Sequence, residues 1–209
     1  MTSIVLATIA AASLALATAS WAEGLEDVAP CLAPFQSINA IEAEYVNLGW
    51  ISVTDGKEFI RATRATSEIR FATMQFPREF ETSDDAAAFL NGAHARAELS
   101  AANARVLVRG ALNVQIEELD FGAYRGLTCY LTGRRVALVE ESLTGEPIEF
   151  PRGRMSFNYT QVDWPDPVGD VPPGNIDLVR LILPFPASLS AAGGQGVIVS
   201  ARYSMEESQ

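Results

Sequence analysis

The stretch "LNVQIE", residues 112–117, is where the hydrophobic pattern of the chain changes from helical spacing to strict alternation. Because successive side chains of a strand point to opposite faces, this alternation predicts a half-buried strand. The change divides the chain into helices before it and strands after it. The apolar face consists of Leu112, Val114 and Ile116, and the polar face consists of Asn113, Gln115 and Glu117.

Several further strands are predicted after this stretch. The first of them places Cys129 on the core side, because Cys129 alternates in step with two leucines. The predicted strands are one through Leu127, Cys129 and Leu131, a segment Val136–Val139 reached by a turn at Thr132 and Gly133, one through Met155, Phe157 and Tyr159 that ends near Trp164, a segment Ile176–Leu183, and one through Val197, Val199, Ala201 and Tyr203.

Three helices are predicted before the change of pattern. Proline suits the first position of a helix and glycine suits the left-handed residue after its end, so Pro34 and Gly49 bracket the first helix. The second begins at Asp55 and ends before Pro77, and the third opens at Thr82 or Ser83 and carries many alanines from Ala86 to Ala104. The order of these segments predicts an α+β domain, with the N-terminal helices packed on one face of a mainly antiparallel sheet built from the C-terminal half.

The first twenty-two residues are typical of a secretory signal peptide. They carry an apolar and small-residue run, Ile4 to Ala22, that closes with small residues of the kind signal peptidase accepts. The alternative is an uncleaved membrane anchor, since a helix of that length nearly crosses a hydrocarbon core of roughly 30 Å. We favour cleavage after Ala22, because Ala, Ser and Thr make the run only weakly hydrophobic. Residues 23–209 then form a single globular domain that is periplasmic or secreted.

The chain contains two cysteines, Cys31 and Cys129. An exported chain with two cysteines is a candidate for one disulfide bond. Closing a loop of roughly 100 residues would stabilise the fold by about 4.7 kcal/mol in the chain-entropy model. The alternative is a pair of buried thiols that do not meet.

Charge and composition argue against several classes of function. The net charge is −11, and we find no compact basic stripe, so we expect no nucleic-acid partner. No stretch after residue 22 approaches membrane-spanning length, so we expect no membrane association after signal cleavage. No phosphate-binding glycine motif or nucleophile elbow occurs, and "GGQG" at 193–196 is predicted to be a turn. His94 is the single histidine, and we expect it to form a surface ion pair with Glu98. The sequence therefore predicts no cofactor, no metal site and no catalytic residue.

One loop is the candidate ligand- or partner-binding site. The stretch "DWPDPVGDVPPGN", residues 163–175, presents carboxylates and a tryptophan on a backbone stiffened by proline, which would lose little entropy on binding. The candidate binding residues are Tyr159, Asp163, Trp164, Asp166 and Asp170.

The leading functional hypothesis is a small, acidic, exported protein that binds an unknown protein or small-molecule ligand without catalysis. A second hypothesis is a hydrolase of an extracellular polymer. It would use two opposed carboxylates, for which Glu117, Glu118, Asp120 and the 163–175 loop supply candidates. A third hypothesis is a membrane-anchored scaffold protein, which requires that residues 1–22 are retained.

Overall fold

The computed structural model describes residues 27–32, 37–75, 82–120, 124–133, 156–164, 173–182 and 189–204. Within them the strands form one sheet in the order β1-β2-β3-β4-β7-β6-β5, and every neighbouring pair is antiparallel. The first four strands form one meander and the last three form another, and the two meanders join where β4 pairs with β7. The strands are β1 (Ile51–Ser52), β2 (Arg105–Arg109), β3 (Leu112–Asp120), β4 (Tyr124–Gly133), β5 (Ser156–Trp164), β6 (Gly174–Ile182) and β7 (Gln195–Ser204).

Helix α1 (Ile38–Asn47) covers one face of this sheet. The side chain of Ser37 caps its first turn by accepting a hydrogen bond from Ala40 N, and Gly49 takes a left-handed φ of 85° just past its end. Ile41 and Tyr45 are buried, 1 % and 0 % exposed. The predicted stop at Gly49 is confirmed. The helix begins at Ile38 rather than at Pro34, which lies outside the described residues.

Helices α2 (Gly56–Gln75), α3 (Ser83–His94) and α4 (Ala97–Ser100) cover the opposite face. Thr82 is the N-cap residue of α3 and forms a capping box with Asp85. The prediction that this helix opens at Thr82 or Ser83 is confirmed. The alanine-rich segment is not one continuous helix to Ala104, because α3 ends at His94 and the short α4 follows. Gly196 allows α2 to pack closely on β7, since a Cβ there would lie 2.7 Å from Ile69 Cγ1.

The predicted α+β class is confirmed, with helices first and an antiparallel sheet after them. The finer expectation that the helices share one face differs from the structure, because α1 packs against Leu107 and Val114 while α2 packs against Tyr130 and Ile198 on the other side. Strand alternation puts these two sets of residues on opposite faces.

The second layer of helices changes the environment of β3. Asn113 and Gln115 are fully buried and Glu117 is 8 % exposed, so β3 is covered on both faces and is not half-buried. Polar residues that alternate along a strand normally indicate a face exposed to solvent. Here the polar face of β3 lies against the layer of helices that contains α2. The pattern of "LNVQIE" predicted the strand correctly and its outer environment wrongly.

The cysteines meet in the core between α1 and the sheet. Cys31 belongs to a 3₁₀ turn, Ala29–Leu32, and its sulfur lies at disulfide distance from that of Cys129 on β4, with Cα atoms 6.3 Å apart. The hydroxyl of Tyr45 lies 3.3 Å from Cys31 Sγ and donates a hydrogen bond of 2.9 Å to Asp27 O. Burial raises the pKa of Tyr45, which keeps this hydroxyl protonated. The predicted pairing and the core-side position of Cys129 are confirmed.

No helix among the described residues has both the length and the apolar character that a membrane span requires.

Candidate functional site

The predicted binding loop connects β5 to β6, which pair as an antiparallel hairpin. Asp163 is the Cα partner of Asn175, is exposed, and accepts a hydrogen bond of 3.1 Å from Gln161 Nε2. Trp164 is the Cα partner of Gly174. The side chains of Tyr159 and Trp164 are not among those described, and Asp166 and Asp170 lie outside the described residues. The role of this loop therefore stays a prediction.

The carboxylates predicted near the end of β3 do not form one cluster. Glu117 is buried against α2, where both its oxygens lie 2.7 Å from Arg70 Nη1 and Gln115 Nε2 donates a 2.6 Å hydrogen bond. Burial raises the pKa of Glu117, and Arg70 opposes that shift. Glu118, the next residue on the strand, is exposed on the other face.

A second buried carboxylate on the same face is too far away to act with Glu117. Asp177 on β6 pairs with Arg202 and lies in the same cross-strand row as Glu117, with Thr128 and Ser200 between them. Three strand spacings separate the two by roughly 14 Å. Glycosidase carboxylates lie about 5–9.5 Å apart. The described residues therefore contain no opposed pair in this row suited to that chemistry.

His94 has a buried partner that the sequence did not predict. Its Nε2 lies 2.6 Å from Oε1 of Glu68, a residue of α2 whose side chain is 0 % exposed. The expected partner, Glu98, lies in α4, beyond the end of α3, and its side chain is not among those described. The contact crosses between α2 and α3, and the 26 residues that separate the partners hide it from any local pattern.

Glu68 also holds the turn that precedes β7. Its carboxylate accepts hydrogen bonds from the Ser190 hydroxyl, from Ala191 N at 2.9 Å and from Ala192 N at 3.1 Å. Ser190 Oγ in turn accepts a 3.0 Å bond from Gly194 N. We call this network the Glu68 clamp. It fixes a turn that includes Gly193 and Gly194, whereas β7 already begins at Gln195, so the predicted turn at 193–196 is correct only in its first half.

The Glu68 clamp contains a serine, a histidine and a carboxylate, but their order does not suit nucleophilic catalysis. In a catalytic triad the imidazole stands between the hydroxyl and the carboxylate, so that it can take the hydroxyl proton. Here Glu68 stands between Ser190 and His94. The arrangement is a structural clamp.

An open groove lies directly above this clamp, between the first half of α2 and the turn at 189–191. It has a volume of about 390 Å³. Three of its residues are cationic, and residues four and three apart on a helix share one face. We call it the basic groove, and its lining consists of Lys57, Ile60, Arg61, Arg64, His94, Leu189, Ser190 and Ala191.

The basic groove continues past Arg61 toward the β2–β3 turn. This second part has a volume of about 510 Å³ and is also lined by Glu58, Gly110 and Ala111. Arg61 lies between the two parts. It donates to Glu58 Oε2 at 2.6 Å, to Gly110 O at 3.3 Å and to Ala111 O at 3.4 Å, so its position is fixed. The result is an elongated groove with an anchored guanidinium near its middle.

The charges of the basic groove are only partly compensated. Among the described residues Glu58 pairs with Arg61, whereas no carboxylate pairs with Lys57 or Arg64, and both of these side chains are exposed. Two exposed apolar side chains, Ile60 at 42 % and Leu189 at 50 %, lie beside them. The groove can therefore offer cations and an apolar contact to one ligand.

Sequence reasoning missed the basic groove. The signal was present, because Lys57, Arg61 and Arg64 follow helical spacing, but the same stretch also alternates Arg, Ala and Thr in the manner of a strand. The opposite wall comes from the turn at Leu189, far along the chain. No residue pattern in α2 alone shows that this wall stands next to the cations.

The described residues include no group of three His, Cys, Asp or Glu side chains placed to hold a metal ion. Comparisons of the chain with protein families, with characterised proteins and with solved structures find no match.

Proposed function

We propose that this protein is an exported, non-enzymatic binding domain whose anionic ligand or partner occupies the basic groove. One observation carries the proposal. In a chain of net charge −11, Lys57, Arg61 and Arg64 line one groove, and two of them have no carboxylate partner among the described residues.

The cost of this arrangement supports a binding role. Like charges at helical spacing destabilise a helix by about 0.2–0.5 kcal/mol per pair. Glu58 offsets part of this repulsion through Arg61. An anion in the groove would offset the remainder at Lys57 and Arg64.

The rigidity of the site supports the same role. The Glu68 clamp fixes one wall through backbone groups of Ala191 and Ala192, and carbonyls of the β2–β3 turn fix Arg61. A site ordered before binding loses less conformational entropy when its ligand arrives.

Export of the domain is part of the proposal. The disulfide distance between Cys31 and Cys129 is consistent with an oxidising compartment, where such bonds persist. The apolar run before Glu23 supports the same location. The polymer-hydrolase alternative gains no support from Glu117 and Asp177, and the anchored-scaffold alternative depends on residues 1–22, outside the described part.

The test is a titration of residues 23–209, with the native Cys31–Cys129 pair, by citrate and by inorganic pyrophosphate, followed by two-dimensional amide NMR. We expect shifts confined to amides of the residues that line the groove, namely 57–64, 94, 110–111 and 189–192. The double variant Lys57→Ser with Arg64→Ser should lose them. A matched control, Arg96→Ser with Arg125→Ser, removes the same charge elsewhere and should keep them. Absence of any shift at the groove, or equal shifts in both double variants, would contradict the proposal.

A further inference from the structure

We infer that the natural occupant of the basic groove is an acidic peptide segment bound in an extended conformation. This inference rests on the proposed function and names the chemistry of the partner. It depends on the spacing of the cations, on the shape of the groove and on the charge of the surrounding chain.

The spacing of the cations matches an extended peptide. Lys57 and Arg61 are four residues apart on α2, which places them roughly 6 Å apart along the helix axis, and Arg64 lies roughly 4.5 Å farther. Side chains on one face of an extended chain repeat roughly every 6.6 Å. Carboxylates on alternate residues of such a peptide can therefore meet neighbouring cations.

The shape of the groove favours a linear ligand. The basic groove and its continuation share Arg61, Ser190 and Ala191, so a chain can run from the Leu189 side to the β2–β3 turn. A small ligand is instead held in a concave pocket that buries most of its surface. Ile60 and Leu189 supply apolar contacts for one side chain of the peptide.

Two other polyanions fit less well. The described residues that line the two parts of the groove include no Phe, Tyr or Trp, so among them a sugar ring finds none of these stacking surfaces. An anionic membrane would face the whole acidic domain, whose net charge of −11 repels it. A single peptide strand senses chiefly the charges within a Debye length, roughly 8 Å at physiological salt.

The experiment measures binding of a short fluorescein-labelled peptide in which glutamate alternates with threonine and one central threonine is replaced by leucine. Fluorescence anisotropy is recorded with residues 23–209, the native cysteine pair intact, at low and at physiological salt. A second peptide carries glutamine in place of every glutamate. Phosphatidylglycerol vesicles, with phosphatidylcholine vesicles as reference, and citrate are tested in parallel.

We expect the glutamate peptide to bind, the glutamine peptide not to bind, and affinity to fall as salt rises. Losing two surface ion pairs in Lys57→Ser with Arg64→Ser should weaken binding roughly tenfold. The Arg96→Ser, Arg125→Ser control should change it less than twofold, and both double variants must show cooperative thermal unfolding.

The other outcomes separate the two proposals. Binding of phosphatidylglycerol vesicles but not of the peptide would overturn the inference in favour of a membrane surface. Binding of citrate alone would overturn it and leave the anion-binding function standing. Peptide binding that both double variants weaken equally would overturn it as a non-specific charge effect. If neither peptide, vesicles nor citrate binds, both proposals fail.

Discussion

Glu68 shows how a single buried carboxyl group can organise two distant parts of the chain. Its side chain is fully buried, yet one carboxylate satisfies the Ser190 hydroxyl, which lies 122 residues away, and the backbone of the turn behind it. Sequence reasoning located His94 and predicted the turn at 193–196, but it could not connect them. Glu68, which joins them, lies within α2, and no sequence pattern around it distinguishes it from a surface glutamate.

We predict that Glu68→Gln lowers the free energy of unfolding by roughly 2–3 kcal/mol, because an amide group would face buried N–H donors and leave at least one unpaired. Urea denaturation measures the change. The exposed Glu118→Gln serves as a control and should shift the free energy by less than about 0.5 kcal/mol. Equal effects of the two substitutions would contradict the clamp.

Glu117 should make stability depend on pH. Its folded-state pKa is raised, chiefly by burial, so the folded state binds a proton more readily than the unfolded state does. Its favourable contribution is therefore complete below the unfolded pKa and is lost as pH rises through the folded pKa. We predict that the wild-type protein loses stability relative to Glu117→Gln as pH rises above the ordinary glutamate pKa of about 4.3.

Urea midpoints of both proteins, measured across this pH range, test the prediction. The difference between the two proteins must change in the stated direction, whatever its absolute size. A difference that stays constant across the range would show that Glu117 keeps its ordinary pKa.

The starts and ends of the helices follow from local chemistry. Thr82 lies at the N-cap of α3, where its side chain accepts a bond from Asp85 N and Asp85 bonds back to Thr82 N. We predict that Thr82→Ala lowers the free energy of unfolding by about 1 kcal/mol, while Thr82→Ser, which keeps the hydroxyl, changes it little. Urea denaturation measures both variants. Equal losses in the two would exclude the cap as the cause.

Strands were predicted more completely than their surroundings. Alternation identified β3, β4, β5 and β7, since period two is a property of each strand alone, and a more uniformly apolar run indicated β6. The burial of Asn113 and Gln115 depends on α2 crossing over them, and the alternation of residues within β3 gives no information about that contact. The break between α3 and α4 was missed because alanine favours helix throughout that stretch. The predicted strand Val136–Val139 lies outside the described residues.

The cysteine pair links the beginning of the folded chain to the middle of the sheet. A bond between residues 98 positions apart removes freedom chiefly from the unfolded chain. We predict that a reducing agent lowers the melting temperature by about 10 °C or more, from roughly 4–5 kcal/mol of lost stabilisation. Calorimetry with and without reductant measures this shift.

The double variant Cys31→Ser with Cys129→Ser provides the control. It should melt at the temperature of the reduced wild-type protein, and adding reductant should not change its melting temperature. Alkylation and mass spectrometry of native exported protein should find no free thiol and an N-terminus at Glu23. Two alkylated cysteines in the native protein would refute the bond, and a retained leader would refute cleavage.

The pairing of β4 with β7 also governs when the sheet can form. Among the described residues β7 is the last strand in the sequence, yet in the sheet it lies between β4 and β6. Until β7 forms, β4 and β6 each keep an unpaired edge, and no strand connects the first four strands to β5 and β6. A chain that is still being synthesised therefore cannot complete this sheet before β7 is made, and a premature stop codon before Gln195 would leave two unpaired strand edges open to aggregation.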